Sequence, residues 1–243
     1  MLSKKAVKDI QSLRLKKFRQ ETGLFVVEGA KMVAEVLRHT PDAVQQIIST
    51  EDWTPPTSAK TKTITVSPAD LQRLSQHEAP QQVLAVVQQL ASTPVKATQG
   101  LTIYLDTIQD PGNLGSIIRI ADWFGCAAVV CSAGCAELYN PKVISATMGS
   151  FLRVPVWYDR KGDWLSQQPV LKIAATLGGT LIHKFSITLP AILMIGNEGN
   201  GLSEAALTAA SQQITIPKRG GAESLNAAVA TGILVAQLVT GNE

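Results

Sequence analysis

The chain has 243 residues, with 22 Lys and Arg against 19 Asp and Glu, a net charge of +3, 45% hydrophobic residues and 17% charged ones. Such a share of apolar residues excludes a disordered chain and suffices for one large domain or two ordinary ones. No run approaches the roughly 18 apolar residues of a membrane helix, and Met1-Leu2-Ser3-Lys4-Lys5 leads into no apolar signal segment, so a soluble cytoplasmic protein is expected.

Residues 4–19 are expected to form one basic amphipathic helix. Val7, Ile10, Leu13 and Phe18 share its apolar side, and Lys4, Lys5, Lys8, Arg14, Lys16, Lys17 and Arg19 crowd the rest. Residues 1–19 hold seven basic side chains and one acid, a local +6, while residues 20–243 sum to −3. The net charge thus conceals one cationic segment suited to a phosphate backbone. A strand at 23–27, a helix at 28–39, strands at 45–49 and 63–66, a helix at 69–75 opened by Ser67-Pro68, and a strand at 83–89 make a small α/β unit. Residues 91–100 have little periodicity and are expected to be a linker between domains at 1–95 and 100–243.

Beyond it, strands are expected at 101–106, 127–132, 154–158, 171–176, 191–195 and 213–216, and helices at 113–124, 141–149, 203–210 and 224–240. This alternation predicts a mainly parallel sheet covered on both faces, with ligands bound beyond the carboxyl ends of its strands. Cys126, Cys131 and Cys135 are spaced x4 then x3 without a nearby histidine, which fits buried thiols rather than zinc, and no metal is expected. His39, His77 and His183 share no motif. The hydrolase, zincin and P-loop patterns G-x-S-x-G, H-E-x-x-H and G-x-x-x-x-G-K-[ST] are absent.

Three strand-end loops carry the unusual residues. In Asp110-Pro111-Gly112-Asn113 a turn leads into a helix that Asn113 can cap, and Arg119, nearly two helical turns on, offers a fork for phosphate. In Gly196-Asn197-Glu198-Gly199-Asn200-Gly201 three glycines permit close backbone approach, and Glu198 between them suggests a positioned carboxylate. The order G-x-x-G-x-G is not that of a dinucleotide fold, which disfavours a dehydrogenase. In Ile216-Pro217-Lys218-Arg219-Gly220-Gly221 and on to Asn226, Ser224 is a natural N-cap for a helix apolar almost all round.

Together D-P-G-N-L-G-x-x-x-R-x-A-D-x-F-G at 110–125, I-G-N-E-G-N-G-L at 195–202 and I-P-x-x-G-x-x-x-S-L-N at 216–226 resemble the motifs of the SpoU/TrmH family of RNA ribose 2′-O-methyltransferases in the SPOUT superfamily. The resemblance covers about residues 100–243. The first part, with G-L-F-V-V-E-G at 23–29, more loosely resembles a ribosomal-protein-like RNA-binding domain. The resemblance implies an α/β fold: a SPOUT-type parallel sheet with a C-terminal trefoil knot, preceded by that smaller domain. It also implies S-adenosyl-L-methionine as cofactor and a homodimer through the catalytic domain. Cofactor contacts fall on Gly196, Ile216 and Leu225, and active-site roles on Asn113, Arg119, Glu198, Ser224 and Asn226. RNA contacts are expected at Lys4, Lys5, Lys8, Lys16, Lys17 and Arg19. Two positions depart from the family pattern: Ala228 stands where a serine is frequent, and Lys218 where an apolar residue is common.

The implied reaction moves a methyl group onto a ribose 2′-hydroxyl, so the protein mainly aligns oxygen, carbon and sulfur. Arginine almost never deprotonates, which gives Arg119 a positioning role, with phosphate or water accepting the proton. Asn113 and Glu198 would orient Arg119 and the loops. Ribosomal RNA is the favoured substrate because of the N-terminal module. Transfer RNA, or a non-catalytic RNA-binding relative of the enzymes, remains the alternative.

Overall fold

The computed structural model describes residues 2–56, 61–75 and 81–240. The chain forms two compact units: Met1–Ala91 with Tyr139–Leu152, and Ser92–Leu138 with Arg153–Glu243.

The first unit begins with α1 (Lys4–Ser12) and α2 (Lys16–Thr22), then β1 (Leu24–Glu28), α3 (Ala30–His39), β2 (Val44–Ser49), β3 (Thr63–Thr65), α4 (Pro68–Leu74) and β4 (Val83–Gln88). Its sheet has the order β1-β4-β2-β3, with β4 antiparallel to both neighbours and β3 parallel to β2. Ile10, Leu13, Leu71 and Leu74 from the helices pack on Val26, Ile48, Leu84 and Val86 from the sheet. His77 lies outside the described residues.

The expected single basic helix is broken. Leu13 ends α1, and α2 starts again at Lys16. The reason is Arg19, which is 2% exposed and donates from Nη1 to the carbonyls of Leu13 and Arg14, both at 2.8 Å. The last carbonyls of a helix have no partner within it, and a buried guanidinium supplies charge-assisted donors for those at this break. Arg19 is therefore corrected from RNA contact to interior support. Lys4, Lys5, Lys8, Lys16 and Lys17 remain exposed. Arg19→Ala should destabilise the protein by about 2–3 kcal/mol in denaturant unfolding, because the two carbonyls lose their donors; an unchanged midpoint would contradict this role. Gly23 closes α2 at φ 67°, a left-handed cap position that glycine adopts without strain.

The expected division at residues 95–100 differs from the structure in two respects. The segment Tyr139–Leu152, with α6 (Pro141–Thr147), belongs to the first unit. The ring of Phe25 sits 4.6 Å from that of Tyr139 and 5.9 Å from that of Phe151. A helix inserted from elsewhere in the chain leaves no periodicity signal of its destination. The expected linker is also anchored within the second unit. Ala97 is buried and its N–H donates to Gln168 Oε1 at 3.1 Å, while Trp164 Nε1 donates to the Val95 carbonyl at 2.6 Å.

The second unit contains β5 (Leu101–Leu105), α5 (Pro111–Trp123), β6 (Ala128–Ser132), β7 (Val156–Asp159), β8 (Leu171–Leu181), β9 (Ala191–Ile195), α7 (Glu204–Ala209), β10 (Gln212–Thr215) and α8 (Ala227–Thr240). The sheet order is β10-β8-β9-β5-β6-β7 and every pairing is parallel. The parallel sheet and the smaller N-terminal α/β unit agree with the expected fold class. β5 and β9 are central and fully buried, which explains their unbroken apolar runs. The chain leaves β5 towards β6 on one side and leaves β9 towards β10 on the other, so the carboxyl ends of β5 and β9 meet at a switch point of the sheet, where such folds bind ligands.

β8 is longer than expected. Its register with β10 jumps from Gln213 opposite Ala174 to Ile214 opposite Thr180. The intervening residues bulge out of the ladder. A Cβ on Gly179 would lie 2.7 Å from the Gln213 carbonyl oxygen, so only glycine fits this crossing. No described helix is long and apolar enough to cross a membrane.

Candidate active site

The three loops singled out in the sequence converge. The β5–α5 loop is capped by Asp110, not by Asn113: Asp110 Oδ1 accepts from the Asn113 N–H at 2.8 Å. This leaves the Asn113 side chain, 8% exposed, available for longer-range work. Its Nδ2 donates to Glu198 Oε1 in the β9–α7 loop, and its Oδ1 accepts from Asn226 Nδ2 at 2.7 Å in the β10–α8 loop. Glu198 Oε1 also accepts from the Ala227 N–H at 3.4 Å. One carboxamide thus ties together residues 85 and 113 positions away along the chain.

Asn226 lies just outside α8, not two residues inside a helix. Its Oδ1 accepts from the N–H groups of Ala228 and Val229 at 3.0 and 3.2 Å. It is the cap that Ser224 was expected to be. Ser224 is exposed and lines the cavity described below.

Residues that the sequence reading did not assign hold the second loop. Asp106, at the end of β5, is 4% exposed and its Oδ2 accepts from the Ser203 N–H at 2.8 Å, at the start of α7. Thr107 has φ 58°, unusual for a β-branched residue. Its N–H donates to Ser132 Oγ at 2.9 Å and its carbonyl accepts from Asn197 Nδ2 at 3.1 Å. A backbone conformation costing about 1–3 kcal/mol persists only where neighbours enforce it. The available signal was a lone carboxylate directly after the apolar run of β5. Gly196 is forced by packing: a Cβ there would lie 2.2 Å from the Gly201 carbonyl carbon and 2.3 Å from the Leu202 nitrogen.

A cavity of about 610 Å³ opens beyond the carboxyl ends of β8, β9 and β10. The bulge of β8, the loop at 196–202 and the loop at 216–225 line it. Gly196, Ile216 and Leu225, the expected cofactor contacts, are all on its walls, as are Glu198 and Ser224. Its volume falls in the range of ligand pockets, about 300–1,000 Å³. Arg119 is not part of this lining. It is exposed on α5 and makes no hydrogen bond or ion pair among the described residues. The network of Asn113, Glu198 and Asn226 therefore orients loops, and no bond from it to Arg119 is formed, in contrast to the expectation.

The cysteines lie beside β6. Cys126 and Cys131 are buried, and burial pushes the Cys126 thiol up to about 12. Cys135 Sγ donates to the Leu105 carbonyl at 3.2 Å. No cluster of potential metal ligands occurs among the described residues.

An all-parallel sheet with a ligand-sized cavity at its switch-point loops, tied by one carboxylate and two carboxamides, is the arrangement in which α/β proteins bind ligands. Residues 100–236 match the model of the SpoU rRNA Methylase family and residues 4–85 that of the MRM3-like substrate binding domain. The chain belongs to the SpoU rRNA Methylase family. The 23S rRNA (guanosine(2553)-2'-O)-methyltransferase RlmP of Bacillus subtilis is 32% identical over 238 residues, covering 96% of this chain and 95% of that one. The 23S rRNA (uridine(2479)-2'-O)-methyltransferase of Streptomyces viridochromogenes is 36% identical over 203 residues, 76% of this chain and 70% of that one. Among solved structures, the SpoU methyltransferase AviRb from Streptomyces viridochromogenes, in complex with the cofactor AdoMet, superposes with a TM-score of 0.85 at 28% identity, covering 99% of this chain and 98% of its own. The AdoMet-bound rRNA methyltransferase from Sinorhizobium meliloti gives a TM-score of 0.85 at 27% identity, covering 98% and 95%.

Proposed function

We propose that this protein transfers the methyl group of S-adenosyl-L-methionine to a ribose 2′-hydroxyl of ribosomal RNA. The observation that carries the reading is the joining of all three motif loops, through Asn113, Glu198 and Asn226, at the edge of a ligand-sized cavity. The full-length likeness to RlmP supports ribosomal RNA over transfer RNA. The cavity fits the cofactor: Leu177, Ile195, Leu202 and Ile214 offer apolar walls that suit a flat base.

When bound, the cofactor supplies an electrophilic methyl carbon on a sulfonium. Gly196, Ile216 and Leu225 would hold it, largely through the backbone. Asn113, Glu198 and Asn226 keep the three loops at fixed spacing, so that alignment of the ribose oxygen is set before RNA arrives. Arg119 grips a phosphate next to the target ribose and places its hydroxyl, whose proton leaves to phosphate or water. Ser224, exposed on the cavity wall, shapes the approach of the ribose.

The first unit binds RNA, with Lys4, Lys5, Lys8, Lys16 and Lys17 on its exposed α1 and α2 supplying backbone contacts. A homodimer belongs to the same reading. α5 and α8 pack on each other yet leave Trp123 84%, Val229 52% and Ile233 41% exposed, apolar surface of the kind a second copy covers. So does a trefoil knot: after β10 at the sheet edge, the chain returns across the end of β9 to bring Asn226 to Asn113. A cytoplasmic location is part of the same reading.

Incubation with methyl-labelled cofactor and separate ribosomal and transfer RNA fractions tests the reading. Label is expected in ribosomal RNA. Label confined to transfer RNA would redirect the substrate, and none in either would favour a non-catalytic RNA-binding protein.

A further inference from the structure

Any geometry that brings a ribose 2′-oxygen to a methyl donor also brings phosphate. The 2′-hydroxyl and the 3′-phosphodiester sit on adjacent ring carbons, and the 5′-phosphodiester lies across the same sugar. Two anions therefore approach the mouth of the cavity whenever the reaction proposed above takes place. Arg119 can meet one of them, but it is not on the cavity wall.

The rim has two cations of its own. The charged residues lining the cavity are Glu198, Lys218, Arg219 and Glu223. Glu198 is engaged by Asn113 and the Ala227 N–H. Lys218 and Arg219 are both exposed, follow Pro217 and precede Gly220-Gly221. Neither forms an ion pair or hydrogen bond among the described residues, although Glu223 lies in the same loop. Two adjacent cations without partners at the mouth of a largely apolar cavity repel each other and gain most when an anion joins them. The loop they occupy ends in Asn226, which is bonded to Asn113. An anion held there is thereby registered against the rest of the site.

We propose that Lys218 and Arg219 form a phosphate clamp on the cavity rim that seats one phosphodiester flanking the target ribose, the complement to Arg119. They are positioning residues: they bring the 2′-oxygen into register and take no part in bond changes. The inference rests on the methyltransferase reading for its substrate, but its binding measurement stands without it. The cofactor's own carboxylate is the other anion within reach of this rim. The exposure of both side chains on the outer edge favours the larger, incoming polyanion.

The test uses the full-length protein and three forms: wild type, K218A/R219A and the charge-retaining K218R/R219K. Binding of S-adenosylhomocysteine is measured by calorimetry, and binding of ribosomal RNA over a series of salt concentrations. The alanine pair should weaken RNA binding about 10- to 100-fold. The slope of log affinity against log salt should drop by about 0.7–0.9, the counterion released by one phosphate contact. S-adenosylhomocysteine affinity should stay within about 2-fold, KM for RNA should rise more than kcat falls, and K218R/R219K should restore binding and slope. Unchanged RNA affinity and slope in the alanine pair would overturn the clamp. So would a loss confined to S-adenosylhomocysteine binding, which would give the cations to the cofactor carboxylate. Absence of methyl transfer by wild type, with the salt slope still lowered in the variant, would remove the catalytic reading while leaving the phosphate clamp.

Discussion

Arg119→Ala is expected to lower methyl transfer about 10²- to 10³-fold while leaving cofactor affinity within about 2-fold. The size is that of removing a single pre-positioned charged donor from a reacting centre. The selectivity follows from its surroundings. Arg119 is exposed on α5, outside the cavity lining, and has no internal partner to lose among the described residues. Stability should therefore be unaffected, and the whole loss should appear in steps that involve RNA. Arg119→Lys should recover only part of the rate, because a single ammonium keeps the charge but not the two-pronged grip on phosphate. Single-turnover transfer with saturating cofactor measures this. Wild-type rates in Arg119→Ala would remove Arg119 from the mechanism.

The second large effect belongs to Asn113. Asn113→Ala removes the carboxamide that pairs Glu198 on one side and Asn226 on the other. Glu198 then keeps only the 3.4 Å bond from the Ala227 N–H, and Nδ2 of the exposed Asn226 loses its acceptor, at a cost of about 1–3 kcal/mol for the two together. Cofactor affinity should fall about 10-fold or more as the loops at 196–202 and 216–225 lose their common tie, and the unfolding midpoint should fall with it. The opposite pattern from Arg119→Ala is thus expected: binding of S-adenosylhomocysteine suffers, not only turnover. A double-mutant cycle with Asn226→Ala should give a coupling energy of about 0.5–3 kcal/mol. Additive effects would mean that the hydrogen bond between the two amides carries nothing. In Glu198→Ala the same reasoning predicts reduced activity, and full activity would take Glu198 off the list of site residues.

Much of this architecture was legible because it is local. Alternating apolar runs and helical periods mark nearly every strand and helix of the second unit, and the buried run of β9 is expected and observed at the same residues, Ala191–Ile195. The loops at the strand ends were legible for the same reason: carboxylates, amides and glycines are conspicuous immediately after apolar strands. What the sequence left obscure depends on long-range pairing. Arg19 reads as one more cation on a basic face until the break in the helix turns it inward onto two carbonyls. Tyr139–Leu152 has an ordinary helical pattern and no sign that its aromatic flanks pack on Phe25. The bulge of β8 rests on a register jump that no period encodes. Asn226 and Ser224 exchange roles because the helix starts three residues later than its composition suggests, and caps are set by the first hydrogen-bonded turn. The tie between Asn113, Glu198 and Asn226 spans most of the second unit, and no spacing rule could disclose it.

The chemical identity of the product decides whether this protein is a ribose methyltransferase. Ribosomal RNA treated with the protein and S-adenosyl-L-methionine carrying a labelled methyl group is digested to nucleosides and separated by mass. Label is expected in a 2′-O-methylated nucleoside, with the mass increment on the ribose and none on the base. Label on a base, or RNA that emerges without label, would contradict it.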